Sequence, residues 1–310
     1  MKKIAKIIIS ITPPPFKPLV TQCSYLFMEV RNLYWTFIRW VQIKTSYHQK
    51  IYSNPNHPQS PLNPWAFIRV CNERETLRQS LDSIVVAISR GIIVYNECPD
   101  GSEEIIKEFC SKHQGFKCIE YPHKVAQCWC SQEDFESKKT LADYYNFALS
   151  FIPQGEWLVK IDTDQIYDAQ KLKESFALAK TPRDIICYFR INLHCFDDEI
   201  YLDKNSPILN PRDHWLICNK GLFFSNTIVE EYESKIYYWE ALLIPFCHFW
   251  IDTTLNTWHF PLLKASRKNR ALRENHILLA DYKEVIPTKY LKRIAPDMLD
   301  EKRILHFLRK

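Results

Sequence analysis

The sequence predicts an α/β protein with a mostly parallel central sheet flanked by helices. Short apolar runs alternate with amphipathic segments from Trp65 onward, and this alternation favours right-handed crossovers between parallel strands. The chain has 310 residues, of which 46% are hydrophobic and 25% charged, enough for one large core. Only 5 residues are glycine, and neither G-x-G-x-x-G nor G-K-[ST] occurs, which argues against dinucleotide and P-loop phosphate sites.

The predicted elements follow the period of the apolar residues. WAFIRV is typical of a short strand, whereas the next segment carries Leu77, Leu81 and Ile84 on one helical face. Ser102 is the predicted N-cap of the second helix, because acids follow it in the first turn. The elements are, in order, a strand over 65–70, a helix over 75–90, a strand over 91–95, a helix over 100–113, a strand over 117–121, a helix over 141–151, a strand over 156–162, a helix over 169–179, a strand over 184–196, a turn-rich stretch over 203–213 and an aromatic stretch to His259.

Basic residues concentrate at the two ends of the chain. Residues 1–50 carry eight Lys and Arg against Glu29 alone, and residues 262–310 carry thirteen basic and six acidic residues. Basic ends around an acidic centre indicate either contact with an anionic membrane surface or solvated tails. The expected divisions are a basic, aromatic-rich N-terminal arm and linker over 1–60, a catalytic domain over 61–264 and a basic helical C-terminal arm over 265–310.

Cysteine usage predicts a cytoplasmic protein. The eleven cysteines are scattered without a C-x-x-C motif, and no secretion signal is recognised, so free thiols are expected. A zinc site from His123, Cys128 and Cys130 lacks a fourth ligand. Segment 23–43 is amphipathic and typical of a helix that lies peripherally on the inner membrane, not of one that spans it. No nucleic-acid partner is expected, because the acidic middle of the chain would repel phosphate.

The stretch WLVKIDTDQ places Asp162 and Asp164 at the end of an apolar strand. Residues two apart in an extended chain point to the same face. Two carboxylates on one face suit Mg²⁺ or Mn²⁺ holding a diphosphate, because these cations prefer oxygen ligands. The alternative is a solvated turn. His259, in the apolar context TWHFP, is either a neutral imidazole ligand of the same metal or a satisfied core residue.

Two further polar loops follow predicted strands. They are RVCNERE at 69–75 and YNECPDGSEE at 95–104. Ligands of parallel α/β sheets bind at the carboxyl ends of the strands. The two loops and the acidic pair are therefore expected to form one ligand site.

Several blocks of the sequence resemble a known family. The D-x-D, the NE after the first strand and the helix start DGSEEII look like the GT-A nucleotide-sugar glycosyltransferases. More closely, the chain resembles the bacterial β-1,4-N-acetylgalactosaminyltransferases that build ganglioside-like lipooligosaccharide. The blocks that carry this resemblance are SPLNPWAFIRVCNERETL, RGIIVYNECPDGSEEIIKEFC, SFIPQGEWLVKIDTDQIYDAQKL and HFPLLK, and they span about Ser60 to Lys264.

The resemblance implies a GT-A-type fold and a metal-dependent, inverting transfer of N-acetylgalactosamine. The implied donor is UDP-GalNAc, the acceptor a glycan or lipooligosaccharide in β-1,4 linkage, and the cofactor Mn²⁺ or Mg²⁺ across the diphosphate. At the matching positions, the implied metal ligands are Asp162, Asp164 and His259, with Asp164 the more direct of the two acids. The implied donor-nucleotide residues are Arg69, Asn72, Glu73, Tyr95, Asn96, Asp100, Gly101 and Asp162. Many members of the wider group have paired acids where Tyr95 and Asn96 stand, so stacking and amide hydrogen bonds to uracil are expected here.

An inverting displacement needs a carboxylate that takes the proton of the acceptor hydroxyl. The preferred catalytic base is Asp213 in NPRDHW, because an acid beside His and Trp suits a sugar ring; the alternative is a turn Asp that caps a strand. The full set of candidate bases is Asp197, Asp198, Asp213, Glu240 and Asp252.

Two other functions remain open at this point. Within the enzymes, the alternative is a transferase of the same fold that uses UDP-galactose or UDP-glucose. Outside the enzymes, the alternative is a non-catalytic, membrane-associated glycan-binding or scaffold protein. A D-x-D phosphatase is disfavoured, because Gln165 stands where such a loop usually has Thr or Val.

Overall fold

The computed structural model describes residues 17–232, 235–264, 267 and 273–309. Its internal contacts divide the chain after Lys50 into two compact units. The first unit holds helix α1 (Lys17–Lys44) and most of the short helix α2 (Ser46–Tyr52). Among the described residues, no helix combines the length and the apolar character that a membrane span requires.

A large mixed sheet organises the second unit, and one half of this sheet is parallel. All five residues of its central strand β5 are buried, as expected for a strand that is covered on both faces. Helices follow β1 and β2 along the chain, which confirms the predicted α/β fold with helices flanking a largely parallel sheet. The parallel strands are, in spatial order, β5 (Trp157–Ile161), β1 (Trp65–Val70), β2 (Arg90–Tyr95) and β3 (Phe116–Glu120), and the first two helices of this unit after α2 are α3 (Arg74–Ile84) and α4 (Ser102–Lys112).

The other half of the sheet is built around the long strand β7 (Asp184–Phe196). Strand β9 (Ile208–Cys218) pairs antiparallel with both β5 and β7 and therefore joins the two halves. Strands β8 (Glu199–Asp203) and β14 (His276–Leu278) extend this edge in antiparallel fashion. Strand β12 (Phe249–Asp252) also pairs with β7 and runs parallel to it.

A short strand late in the chain returns to the end of β5. It is β13 (Thr257–His259), which pairs parallel with β7 and antiparallel with β6 (Gln165–Tyr167). Because β6 follows β5 after a tight turn, this pairing brings His259 opposite Gln165, next to the acidic pair.

A second, smaller sheet lies apart from the main one. It contains the long hairpin β10 (Phe223–Tyr232) and β11 (Lys235–Leu243), and its third strand is β4 (Trp129–Ser131). Its inner face buries Ile236 and Tyr238, which pack with Cys130 and Ala126.

Hydrophobic clusters cover both faces of the main sheet. One cluster packs α3 and α4 against the parallel strands, and another packs Tyr144 and Tyr145 against the opposite face. A third cluster surrounds Trp258 and holds the C-terminal segment, whose Met298 carbonyl accepts a 2.8 Å hydrogen bond from the indole. The remaining α-helices are α5 (Gln132–Ser137), α6 (Leu141–Leu149), α7 (Ala169–Ser175), α8 (Thr288–Leu291) and α9 (Glu301–Leu308).

The predicted turn over 203–213 is wrong in its second half, because β9 already begins at Ile208. The register between β7 and β9 shifts across Tyr188 to Arg190, and Arg212 has a φ of 55°. A bulge of this kind tolerates a proline such as Pro211, which has no N–H to donate to the ladder. It also changes the direction of the side chain that follows the bulged residue Arg212. That following residue is Asp213, the predicted catalytic base.

Burial of His194 on β7 makes the stability of the fold depend on pH. The side chain is 6% exposed, packs on Phe196 and His276, and its Nδ1 has no hydrogen-bond partner among the described residues. Burial, with the neighbouring His276, lowers the pKa of His194 to about 4. An unfolded histidine titrates near 6.5, so between about pH 4 and pH 6.5 the unfolded chain binds a proton that the folded chain excludes.

We therefore expect the contribution of neutral His194 to the free energy of unfolding to be complete above pH 6.5 and to be lost as the pH falls through this window. When thermal unfolding is compared at pH 7 and pH 4.5, the midpoint temperature of His194→Gln should fall by less than that of the wild type. The exposed His306→Gln serves as the control and should keep the wild-type slope. Equal slopes for His194→Gln and wild type would contradict the expectation.

Candidate active site

The acidic pair lies on the tight turn between β5 and β6. The turn is closed by the backbone N–H of Gln165, which donates to the carbonyl of Asp162 at 3.2 Å. Both acids line a cleft of about 210 Å³, which we call the inner cleft. Of the other predicted residues, the inner cleft is lined by Arg69, Glu73 and Asn96. Five of the residues that were predicted from the sequence therefore line one cleft.

Asp164 faces an imidazole and a guanidinium. Its Oδ2 lies 3.3 Å from Nε2 of His259 and 3.3 Å from Nη1 of Arg267. Burial opposes ionisation of this carboxyl, but its contacts with His259 and with the guanidinium of Arg267 bring the pKa of Asp164 to about 2. Asp164 is therefore a carboxylate at neutral pH.

A hydrogen-bond chain fixes which ring nitrogen of His259 faces Asp164. Asn192 on β7 donates its Nδ2 to the carbonyl of Ser206 at 2.6 Å, so its Oδ1 faces Nδ1 of His259, also at 2.6 Å. An amide oxygen only accepts, so Nδ1 carries a proton, and in the neutral form of the ring Nε2 carries the lone pair. A histidine held in this way by a second group is typical of metal-binding imidazoles.

These residues fit a divalent cation. A lone pair on Nε2 and a carboxylate oxygen lie 3.3 Å apart, which is close to the spacing of two neighbouring ligands on one cation with metal–ligand distances of about 2.1 Å. Two acceptor atoms that face each other are stabilised by a cation between them. Asp164 and His259 would hold such an ion. The set of metal ligands implied by the resemblance, Asp162, Asp164 and His259, stays a prediction.

Asp162 belongs to a second cluster of charges, which does not include Asp164. Its Oδ2 accepts from His214 at 2.7 Å and from the buried Lys160 at 3.2 Å. Burial opposes ionisation, yet Lys160 and His214 hold the pKa of Asp162 well below its usual value. The two acids therefore share a turn and a cleft but have different partners.

Asp213 belongs to this second cluster. Its Oδ1 lies 3.2 Å from Nζ of Lys160, and its Oδ2 lies 3.7 Å from Nδ1 of His214. Asp162, Asp213 and His214 lie close enough together to share a metal ion. The ammonium of Lys160 already bridges both carboxylates, however, and Arg190 contacts His214. The positive charges of Lys160 and Arg190 therefore already compensate the two carboxylates of this cluster.

Arg69, Asn72 and Glu73 occupy the first predicted loop, at the end of β1. The guanidinium of Arg69 lies 4.4 Å from the ring centroid of Tyr145 and donates to its hydroxyl at 3.1 Å. Asn72 has a φ of 54°, a strained conformation of the kind that clusters at functional sites. Glu73 pairs with Lys264 at 2.5 Å.

The second predicted loop is brought to the site only in part. Asn96 lines the inner cleft and donates its Nδ2 to the carbonyls of Tyr121 and His123. Asp100 accepts from the backbone N–H of Arg74 and Ser102. Asp100 and Asn72 line a neighbouring outer cleft of about 810 Å³, which shares Cys71, Gln127 and Lys264 with the inner one.

Tyr95 and Gly101 line neither cleft. The hydroxyl of Tyr95 lies 3.4 Å from a carboxylate oxygen of Glu103. Gly101, with a φ of 94°, is the N-cap of α4, which corrects the expectation that Ser102 holds that position. A left-handed residue is needed there, and glycine adopts it without a steric penalty.

An aromatic cavity of about 700 Å³ opens on the side of the charged cluster that carries Asp213. Three tryptophans line it, together with Asp213 and Glu240 and the guanidinium of Arg190. The tryptophans are Trp215, Trp239 and Trp250. Of the five candidate bases, Asp213 and Glu240 are the two on this cavity. Asp198 instead pairs with Arg309, and Asp252 with Arg293.

Sequence reasoning missed four cations and a histidine of the site. Lys160 carried a usable signal, since it is a lysine inside an apolar strand and next to an acid. His214 was noted only as a neighbour of Asp213. Arg190, Lys264 and Arg267 reach the site through long-range pairing, for which the sequence has no local pattern.

Comparison with protein families shows that the protein is a glycosyltransferase. The chain belongs to the beta-1,4-N-acetylgalactosaminyltransferase (CgtA) family, whose model matches residues 42–310. The match extends the resemblance noted from Ser60 to Lys264 in both directions and includes the C-terminal segment. No curated protein matches the chain at a significant level.

Solved structures give only distant similarities. The mannosyltransferase PcManGT from Pyrobaculum calidifontis, in complex with GDP-Man and Mn²⁺, is 15% identical over 49% of this chain and 44% of that one, with a TM-score of 0.32. Glucosyl-3-phosphoglycerate synthase from Mycobacterium tuberculosis, in complex with Mn²⁺, UDP and phosphoglyceric acid, is 15% identical over 41% and 43%, with a TM-score of 0.29. This chain therefore matches less than half of either structure, and similarity at this distance does not bear on its substrates.

Proposed function

We propose that the protein is an inverting glycosyltransferase that moves N-acetylgalactosamine from UDP-GalNAc to a glycan acceptor of lipooligosaccharide or lipopolysaccharide, in β-1,4 linkage. The observation that carries the metal-dependent donor site is the Asp164–His259 pair, held by Asn192 at the inner cleft. Family membership supports the donor sugar and the linkage.

The cations around the clefts suit a nucleoside diphosphate. Lys264 lines both clefts, and Arg267 and Arg69 line the inner one. A bound Mn²⁺ or Mg²⁺ would supply further positive charge against the departing diphosphate. The nucleoside would lie in the outer cleft, beside Asn72 and Asp100, with the diphosphate in the inner one.

The acceptor would enter the aromatic cavity, where tryptophan faces can pack on sugar rings. Asp213 lies at this cavity and would take the proton of the acceptor hydroxyl. Burial opposes its ionisation, but Lys160 and His214 lower the pKa of Asp213, so the carboxylate is ionised at neutral pH as a base must be. Lys160 contacts Asp213 and Asp162 together, so it links the proposed acceptor side to the donor side.

The test of this function is UDP release from UDP-GalNAc, UDP-galactose, UDP-glucose and UDP-GlcNAc, each with and without Mn²⁺. We expect turnover of UDP-GalNAc that depends on the metal. Preferred turnover of UDP-galactose or UDP-glucose would favour the alternative donor, since one pocket residue can switch such a preference. No turnover and no metal-dependent UDP binding would favour the non-catalytic glycan-binding protein.

We further propose that the enzyme is cytoplasmic and that α1 lies peripherally on the inner membrane. Its exposed apolar residues recur every three or four positions and form one stripe. Four Lys and Arg against Glu29 alone suit anionic lipid headgroups. The stripe contains Leu26, Phe27, Val30, Leu33, Tyr34, Phe37, Trp40 and Val41, each at least 36% exposed.

Phe37→Glu is expected to abolish most flotation of the protein with vesicles that contain phosphatidylglycerol, because a charge in the stripe opposes its burial. Asn32→Glu makes the same change of charge on another face of α1 and should retain most of the binding. Both proteins should bind pure phosphatidylcholine vesicles weakly. If the two variants lose flotation equally, charge alone holds the protein to the membrane, and if neither does, α1 has another role.

A further inference from the structure

The outer face of the small sheet carries a row of three aromatic side chains, two exposed and one half-buried, that continues from the aromatic cavity. Trp129 on β4 lies directly opposite Tyr237 on β11, and Trp239 follows two residues later on the same face. Their ring centroids are 5.9 Å and 6.4 Å apart. We call these three residues the aromatic row.

Packing in the hydrophobic core does not account for the presence of these aromatic residues. Trp129 and Trp239 are 44% and 47% exposed, whereas the alternate residues Ile236 and Tyr238 are 2% and 0% exposed and fill the inner face. Burying a tryptophan is strongly favourable, so a run of exposed aromatic rings is typical of a binding surface.

Polar groups lie beside the rings. In the register of the hairpin, Glu230 pairs with Tyr237 and Thr227 pairs with Trp239, so these side chains share the outer face with the row. Aromatic faces next to a carboxylate and a hydroxyl offer both a stacking surface and hydrogen-bond partners for a molecule with many hydroxyl groups. A carboxylate at this position disfavours anionic lipid and nucleic acid as occupants.

Trp239 also lines the aromatic cavity, so the row leads away from the proposed acceptor site without a break. We propose that the aromatic row binds the saccharide chain of the acceptor, one or more sugar residues beyond the sugar that receives the transferred group. The inference rests on the proposed function of the cavity. The spacing of the rings is comparable with the length of one pyranose residue. Binding at the aromatic row would make the enzyme selective for the length of its acceptor.

The test compares two probes in the presence of Mn²⁺ and UDP. One is the core oligosaccharide released from lipooligosaccharide by mild acid, and the other is the methyl glycoside of its terminal monosaccharide. By titration calorimetry, Trp129→Ala should raise the Kd for the oligosaccharide about tenfold and leave that for the methyl glycoside unchanged. Trp129→Phe keeps an aromatic face and should restore most of the affinity.

Phe151→Ala is the matched control, since Phe151 is an aromatic residue of similar exposure, 39%, outside the row. It should bind both probes as the wild type does. An unchanged Kd of Trp129→Ala for the oligosaccharide, or an equal loss for both probes, would overturn the proposal, as would a wild type that binds no oligosaccharide. Binding of UDP with Mn²⁺ in the same samples shows separately whether the proposed donor function stands.

Discussion

Asp164→Asn is expected to lower the metal-dependent rate of UDP release by about 10³-fold or more. The substitution removes the negative charge of the proposed metal ligand, which lies 3.3 Å from Nε2 of His259. Metal ions contribute several kcal/mol of charge stabilisation, and each 1.4 kcal/mol corresponds to about a factor of ten in rate. The rate should be measured with saturating UDP-GalNAc over a range of Mn²⁺ concentrations. Mn²⁺ binding, followed by electron paramagnetic resonance, should weaken in parallel.

Asp281→Asn is the control for this experiment, because Asp281 is exposed and remote in sequence from the cleft residues. It should keep wild-type turnover and Mn²⁺ binding. If Asp164→Asn retained more than about a tenth of the wild-type turnover, the acidic pair would be a polar strand end and the metal would be held elsewhere. Asp162, Asp213 and His214 would then be the next residues to test.

Lys160→Met is expected to lower the free energy of unfolding by roughly 2–3 kcal/mol. The side chain is 4% exposed, and its ammonium lies 3.2 Å from both Asp162 and Asp213. Burial alone would lower the pKa of Lys160, but the two carboxylates raise it well above its usual value. Removing one partner of a buried ion pair costs about 3–5 kcal/mol, and the effect should be smaller here because both acids are partly exposed.

Urea unfolding followed by far-ultraviolet circular dichroism measures this loss. Lys112→Met provides the comparison, because Lys112 makes an exposed ion pair with Glu108 at 2.5 Å. Surface pairs contribute little, so this variant should keep the wild-type midpoint. A midpoint for Lys160→Met equal to that of the wild type would show that water enters the cluster and solvates the two carboxylates.

The elements that could be predicted were those with a local pattern. β1 was predicted over 65–70 and β7 over 184–196, and both agree with the structure, because each segment is rich in β-branched and aromatic residues. The position of the acidic pair followed in the same way, since an apolar strand that ends in acids is visible within nine residues. Asp162 and Asp164 share one cleft as expected, although they have different partners.

The contacts that could not be predicted from the sequence are those that depend on pairing between distant strands. Lys160 and His214 meet because β9 pairs with β5 and β7, and this pairing depends on a bulge at Arg212 that resembles a turn in sequence. The aromatic cavity likewise combines residues of five strands, which no local sequence pattern predicts. Secondary-structure propensity describes one segment at a time, whereas these contacts depend on the register in which the strands pair.

The pairing of β13 between β6 and β7 has a consequence for how the chain can vary. His259 faces Asp164 because β13 pairs with Gln165 on one side and with Asn192 on the other. Side chains alternate along a strand, so an insertion or deletion of one residue that shifted β13 by one position would turn the imidazole to the opposite face of the sheet. Length changes in this family should therefore accumulate in the loops on either side of β13 and leave its register unchanged.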